Sequence, residues 1–148
     1  MYLSKFTDYG LRVLVFLALE PERKVTIGEV SDHFAMPRNH VMKVVQSLAA
    51  HGFVETQPGK KGGIRLPPQW QDLGVGIIVR RMERSLDIID CDSPHCPITG
   101  ACGLKTALDQ ARDAFLAVLD GYRLGDLLVN RSQLARLFGL EINAKSPQ

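Results

Sequence analysis

Two short helical patterns stand side by side in residues 26–50, TIGEVSDHFAMPRNHVMKVVQSLAA. Thr26 and Glu29 have the spacing of a capping box, which predicts a helix over 26–35. Pro37 suits the first turn of the next helix, and Gly52 suits the position just past its end near residue 50. The apolar stripe of that second helix is formed by Val41, Val44, Val45 and Leu48. Two short helices joined by a tight turn form a helix-turn-helix.

A β-hairpin is predicted directly after the second helix, in residues 53–66, FVETQPGKKGGIRL. Residues 53–57 and 64–66 are its strands, and the glycine-rich segment between them is its turn. A hairpin in this position is the wing of a winged helix-turn-helix. Pro67 and Pro68 close the module.

The rest of the chain is predicted to be mostly helical. The expected helices cover 6–19, 72–84, 104–122 and part of 123–140. Ser4 or Thr7 caps the first of them, which is apolar on most faces and therefore buried. The helix over 72–84 has Leu73, Ile77 and Ile78 among its apolar positions.

The predicted fold class is mainly α with a small β-hairpin, a winged helix-turn-helix head plus a long dimerisation helix. We divide the chain into the winged-helix head 1–68, a linking helix and cysteine loop 69–103, the dimerisation and C-terminal helices 104–140, and a disordered tail 141–148. The long helix carries an apolar seam in steps of four and three, formed by Leu104, Leu108, Ala111, Phe115, Val118 and Tyr122. Such a seam packs against another helix in a homodimer, and contact with the chain's own core is the alternative.

The composition is that of an ordinary globular protein, 45% hydrophobic and 23% charged. The sequence contains no run of about eighteen apolar residues, so no membrane span is predicted. The N-terminus lacks the apolar core of a signal peptide, and a cytoplasmic location is therefore expected. The sequence contains no recognisable phosphate loop, nucleophile–base pair or paired carboxylates. We therefore expect a sensor and not an enzyme.

Basic residues concentrate in the helix-turn-helix and the wing, although the net charge is only +2. Glu55 is the only acidic residue between positions 36 and 66. A basic stripe on a nearly neutral chain is typical of a DNA-binding surface; a solvated face or a protein-interaction module are the alternatives. Recognition helices contact bases near their N-termini, and wings contact phosphates or the minor groove. The predicted DNA contacts are Arg38, Asn39, His40, Lys43, Gln46, Lys60, Lys61, Gly62, Gly63 and Arg65.

Three cysteines, Cys91, Cys96 and Cys102, lie close together in a segment rich in proline and glycine. An odd number of cysteines argues against a disulfide framework in this setting. Thiolates at such spacing bind iron–sulfur clusters, zinc or Cu(I), and a four-ligand centre needs one further donor. Structural zinc with help from His95, or simple burial of the thiols, are the alternatives.

Several segments taken together resemble the family of iron–sulfur winged-helix repressors. They are FTDYGLR at 6–12, RNH at 38–40, GKKGGIRL at 59–66 and the three cysteines, and the similarity extends to about residue 140. FTDYGLR and RNH are most similar to the nitric-oxide-sensing members. Another branch of the family carries a histidine three residues after the last cysteine, where this chain has Lys105.

The resemblance implies an iron–sulfur cluster, [2Fe–2S] or [4Fe–4S], on the three cysteines. It also implies that Asp8 of the partner subunit is the fourth ligand and that Arg12 pairs with Asp8 when the cluster is absent. A plain helix-terminal charge is the alternative for Asp8.

The implied function is that of a homodimeric repressor on a near-palindromic operator in double-stranded DNA, released when nitric oxide nitrosylates the cluster. An iron- or redox-responsive repressor of the same architecture stays open. So does, more distantly, a structural-zinc winged-helix protein that recruits other proteins.

Overall fold

The computed structural model describes residues 2–59 and 61–140. Within those ranges the chain forms α1 (Lys5–Leu19), α2 (Ile27–Phe34), α3 (Arg38–Ala50), β1 (Glu55–Gln57), β2 (Gly63–Arg65), α4 (Val75–Met82), α5 (Gly103–Asp120) and α6 (Arg131–Leu137). Short 3₁₀ turns lie at Trp70–Asp72, Thr99–Ala101 and Leu124–Leu128. A mainly helical chain with one small antiparallel hairpin confirms the predicted fold class. The predicted tail, 141–148, lies outside the described residues.

The helix starts follow the predicted capping chemistry. The Ser4 hydroxyl accepts a hydrogen bond from the Thr7 N–H at 3.2 Å, which caps α1. At the start of α2, the Thr26 hydroxyl accepts from the Glu29 N–H, and the Glu29 carboxylate accepts from the Thr26 N–H at 2.7 Å. Ala35 ends α2 in the left-handed conformation, with φ at 51°. These local bonds place α3 immediately after α2, as a helix-turn-helix requires.

The core of the head lies between α1 and α3. Gly10 of α1 is buried, and a Cβ there would lie 2.8 Å from the Met82 Cε and 3.7 Å from the Leu48 Cδ2. The missing side chain therefore lets α1, α3 and the end of α4 meet at one point. Burial of one Leu or Val side chain contributes about 1.5–3 kcal/mol. The fully buried apolar residues include Val13, Leu14, Leu17, Val30, Val41, Val44, Leu48 and Ile78.

The wing is a two-stranded hairpin in which Glu55 pairs with Arg65. Ile64 also exchanges backbone hydrogen bonds with Val25, at 2.9 and 2.7 Å, and this ties the wing to the start of the helix-turn-helix. In the turn, a Cβ on Gly62 would collide with the Gln57 carbonyl oxygen. The first strand is two residues shorter than predicted, because residues 53 and 54 are buried in the core instead of extending the ladder. The second strand keeps its predicted length but begins one residue earlier, at Gly63, and residue 66 is buried in the core.

The helix predicted over 72–84 differs from the observed one in its bounds and in one of its predicted apolar contacts. The backbone of Leu73 is extended, and its carbonyl accepts from the Leu124 N–H at 2.8 Å. Because that carbonyl serves a distant segment, α4 starts only at Val75 and ends at Met82. Ile77, predicted as an apolar contact, is 56% exposed, whereas Ile78 is fully buried.

The two C-terminal helices have different partners. Arg80 and Asp120 form two hydrogen bonds, at 2.5 and 2.8 Å, which join α4 to the end of α5. The last helix, α6, returns to the head, where Phe138 contacts the rings of Phe16 and Phe34 at 5.2 Å each. In α5 only Leu116 is buried, so the described part of the chain covers one side of the long helix and leaves much of its surface exposed. None of the helices in that part is long and apolar enough to cross a membrane.

Gly10→Val tests the meeting point of α1, α3 and α4. The new side chain must displace Met82 and Leu48, so the free energy of unfolding should fall by about 1–3 kcal/mol in urea denaturation. Gly103→Val is the matched control, because a Cβ at Gly103 meets nothing within 4 Å. Equal losses in both variants would contradict the packing described.

Candidate DNA-binding surface and cysteine loop

The predicted base-contacting residues of α3 share one exposed face. Arg38, Asn39, His40, Lys43 and Gln46 are all exposed, whereas the valine and leucine stripe on the opposite face is fully or nearly fully buried. The buried stripe fixes the rotation of α3, so these polar side chains point away from the core together. The structure therefore brings the predicted set together on the side where a recognition helix meets DNA.

Two arginines of this surface have neighbours that the sequence did not indicate. The Arg38 guanidinium lies over Gly28 of α2, where a Cβ would come within 2.6 Å of Nη2. Arg65 of the wing forms an ion pair with Glu55 at 2.7 Å, so part of its charge is already compensated. Lys61 is exposed at the wing tip beside the half-buried Gly62. Lys60 and Gly63 complete the predicted set; Lys60 lies outside the described residues, and Gly63 begins β2.

The cysteine loop holds three half-buried free thiols. The Cys96 N–H donates to the Cys91 carbonyl at 2.9 Å, and the Cys102 Sγ accepts from the Lys105 N–H at 3.5 Å as the cap of α5. Partial burial raises the pKa of the Cys91 thiol, and the charges of Cys96 and Cys102 raise it further, whereas Lys105 lowers it.

One chain does not assemble a complete site for a single metal ion. Within residues 2–59 and 61–140, no group of three or more histidine, cysteine or acidic side chains lies close enough to hold one. His95 is exposed. A polynuclear cluster spans several atoms, so its ligands need not converge on one point. Three thiols on one loop are soft donors of the kind that iron–sulfur clusters and zinc both accept.

Asp8, the predicted fourth ligand, lies half-buried on α1. Its carboxylate accepts from the Arg12 Nε at 2.8 Å, one turn further along the helix. Both side chains stay partly exposed, so an exposed pair of this kind contributes only about 0.3–0.5 kcal/mol. A stronger ligand can therefore displace Arg12 from Asp8 at little cost.

Sequence reasoning missed two residues at the end of α4 that join the cysteine loop to the head. The Glu83 carboxylate accepts from the Ser4 N–H at 2.7 Å, at the start of α1. Met82 is buried under Gly10, and the Ser47 hydroxyl of α3 donates to its sulfur at 3.6 Å. A hydrogen bond between residues so far apart in the chain leaves no periodicity or spacing to detect. The segment that enters the cysteine loop is thus fixed to both α1 and α3.

The predicted seam is largely exposed in the single chain. Its last member, Tyr122, lies past the end of α5, which stops at Asp120, and the Tyr122 carbonyl accepts from the Val75 N–H at 2.9 Å. Leu104, Val118 and Tyr122 are 63%, 62% and 48% exposed. Leu108 and Phe115 are half-buried, and Ala111 is exposed. An exposed apolar stripe of this length marks an interaction surface.

Comparison with known proteins identifies the family. A family model described as "Rrf2: Iron-dependent Transcriptional regulator" matches residues 3–130. The chain belongs to the Rrf2 family. Rrf2 proteins are transcriptional regulators and not enzymes, which agrees with the exposed recognition helix and wing.

Solved Rrf2-like structures share the fold. T. potens IscR has a TM-score of 0.70 at 21% identity, with 100% of this chain and 93% of that chain covered. CymR (YrzC), the global cysteine regulator of B. subtilis, has a TM-score of 0.67 at 23% identity, with 86% and 95% covered. The oxidized form of Staphylococcus aureus CymR gives 0.68 at 23% identity, with 87% and 97% covered.

Glu83→Ala tests the bond between the cysteine loop and this Rrf2 chain's first helix. Without the carboxylate, the Ser4 N–H loses its partner, and the first turn of α1 should exchange its amide hydrogens several-fold faster. Hydrogen exchange resolved by NMR measures this, with the exposed neighbour Arg84→Ala as control. Unchanged amide exchange rates at Ser4 and Thr7 in Glu83→Ala would contradict the role given to the Glu83–Ser4 hydrogen bond.

Proposed function

We propose that this chain is a homodimeric repressor whose DNA binding is controlled by an iron–sulfur cluster that reacts with nitric oxide. One observation carries the proposal: three free thiols share a loop whose entry is hydrogen-bonded to the helix that supports the recognition helix. Nitric oxide is proposed as the signal because FTDYGLR and RNH are similar to the corresponding segments of the nitric-oxide sensor NsrR.

The cluster would be held by Cys91, Cys96 and Cys102 and by Asp8 of the partner subunit. When bound, it supplies iron that reacts with nitric oxide, in a [2Fe–2S] or [4Fe–4S] form. A carboxylate is a harder ligand for iron than a thiolate, so the Asp8 end is the weaker one. The ion pair between Asp8 and Arg12 is the state that Asp8 returns to when it is not a ligand.

The exposed seam of α5 supports dimerisation. The proposed interface consists of Leu104, Leu108, Ala111, Phe115, Val118 and Tyr122. Knobs-into-holes packing of two such helices buries these side chains, which the described part of a single chain leaves largely uncovered. Arg80 and Asp120 fix the interface helix to α4, and Arg112 fixes it to Asp87 of the loop at 3.2 Å. The interface helix α5, the cysteine loop and α4 would then move as one unit.

Control of DNA binding follows from the packing of α1. A ligand bond to Asp8 would act on the first turn of α1. That helix is packed against α3 around Gly10 and Leu48. Movement of α1 therefore moves the recognition helix. Two recognition helices must stand about 34 Å apart to enter successive major grooves of a near-palindromic site. Loss of the Asp8 bond would change that spacing and would weaken binding steeply.

On DNA, the exposed face of α3 would contact base edges through Arg38, Asn39, His40, Lys43 and Gln46. Arginine and lysine donate to guanine, and asparagine or glutamine pairs with adenine. The wing would contact phosphates or the minor groove through Lys60, Lys61, Gly62, Gly63 and Arg65.

A second candidate keeps the architecture and changes the signal. The matching family model is described as iron-dependent, which favours a repressor that responds to iron supply or redox state. In that case loss of the cluster, and not its reaction with nitric oxide, would release DNA.

Anaerobic titration with nitric oxide tests the proposal. Visible absorption and DNA binding are followed in one sample, on a duplex that the protein selects from a random pool. The cluster absorption should bleach, and DNA affinity should fall at least tenfold, at a few nitric oxide molecules per cluster. Release by iron chelation but not by nitric oxide would favour the second candidate.

The matched variants are Asp8→Ala and Asp32→Ala. Asp8→Ala should shift the visible spectrum before any nitric oxide is added, and Asp32→Ala, on the exposed face of α2, should not. Identical spectra in both variants would remove Asp8 from the ligand set.

A further inference from the structure

A basic cleft lies beside α3, the proposed recognition helix. Its walls come from α1 and α3, and its volume is about 270 Å³. The residues around it are Lys5, Phe6, Tyr9, His40, Lys43 and Val44. The α3 side belongs to the predicted DNA surface, whereas nothing in the sequence pattern pointed to the α1 side.

The charges of this cleft are available to a ligand. Lys5 and Lys43 are exposed, and within residues 2–59 and 61–140 neither forms an ion pair or a side-chain hydrogen bond. The nearest carboxylate along α1, that of Asp8, is engaged by Arg12 at 2.8 Å. The cleft therefore carries an uncompensated positive rim.

The floor of the cleft is apolar. Phe6 is 37% exposed, Tyr9 is half-buried and Val44 is fully buried. An apolar floor under a lysine rim matches a deoxyribose–phosphate unit, which presents an apolar sugar face next to a charged phosphate.

We propose that this cleft binds the DNA backbone, with Lys5 of α1 contacting a phosphate next to the bases read by α3. The inference rests on the proposed DNA-binding function and adds α1 to the contact surface. Lys5 lies one turn before Asp8, so the helix that would carry the cluster ligand also grips DNA. A displacement of α1 then removes a phosphate contact directly, in addition to moving α3.

The test compares Lys5→Ala, Lys5→Arg and Arg136→Ala over a range of salt concentrations. Each is titrated on the selected duplex and on a duplex of unrelated sequence. Lys5→Ala should weaken binding to both duplexes by the same factor and reduce the slope of log affinity against log salt by about 1. Lys5→Arg should keep the slope. Arg136 is exposed on α6, whose first residue, Arg131, donates to the Leu19 carbonyl at the C-terminal end of α1. It is the charge-matched control and should change nothing.

The outcomes separate the two proposals. An unchanged slope in Lys5→Ala, with normal binding by the parent protein, overturns the α1 contact and leaves DNA binding intact. A loss confined to the selected duplex makes Lys5 a base contact and also overturns the phosphate assignment. A parent protein that binds neither duplex overturns the proposed function itself. Thermal unfolding of each variant shows that the exposed substitutions leave the fold unchanged.

Discussion

The packing of α1 against α3 at Gly10 is the contact on which the positions of α3 and of the end of α4 depend. A Cβ at Gly10 would lie 2.8 Å from the Met82 Cε, so the absence of a side chain lets Met82 of α4 pack closely against α1, and Leu48 and Val44 of α3 lie within 4 Å of the same point. Cores are close-packed and transmit small displacements, because their elements have discrete packed arrangements and do not deform continuously. The recognition helix is therefore mechanically linked to the end of α4, where the cysteine loop begins.

In the proposed function, the same contact would connect the cysteine loop to the DNA-binding face, which lie far apart in the sequence. Glu83 holds the N-terminus of α1, and Ser47 of α3 hydrogen-bonds Met82. Cys91, the first of the thiols, follows Glu83 by eight residues. In the proposed function, a change at the loop would act on the end of α4, which contacts both helices. The exposed seam of α5 places a second copy of the joint across the proposed dimer.

Residues with local signals were predictable, and residues with distant partners were not. The capping box at Thr26 and the buried stripe of α3 depend on spacings of three and four, which the sequence displays directly. The start of α4 was misplaced because the Leu73 carbonyl bonds to Leu124, some fifty residues later. The Glu83–Ser4 bond and the Lys5 cleft were missed for the same reason.

The proposed cluster site likewise combines residues of one local segment, the three cysteines, with a distant one, Asp8. The resemblance supplied Asp8 as a ligand from the partner, and the single chain shows only its ion pair with Arg12. Native mass spectrometry of protein isolated without oxygen tests the central claim most directly, because it reports subunit number and bound metal in one spectrum. The account predicts a dimer that carries one iron–sulfur cluster per subunit. A monomer, or a dimer whose added mass is zinc, would contradict it.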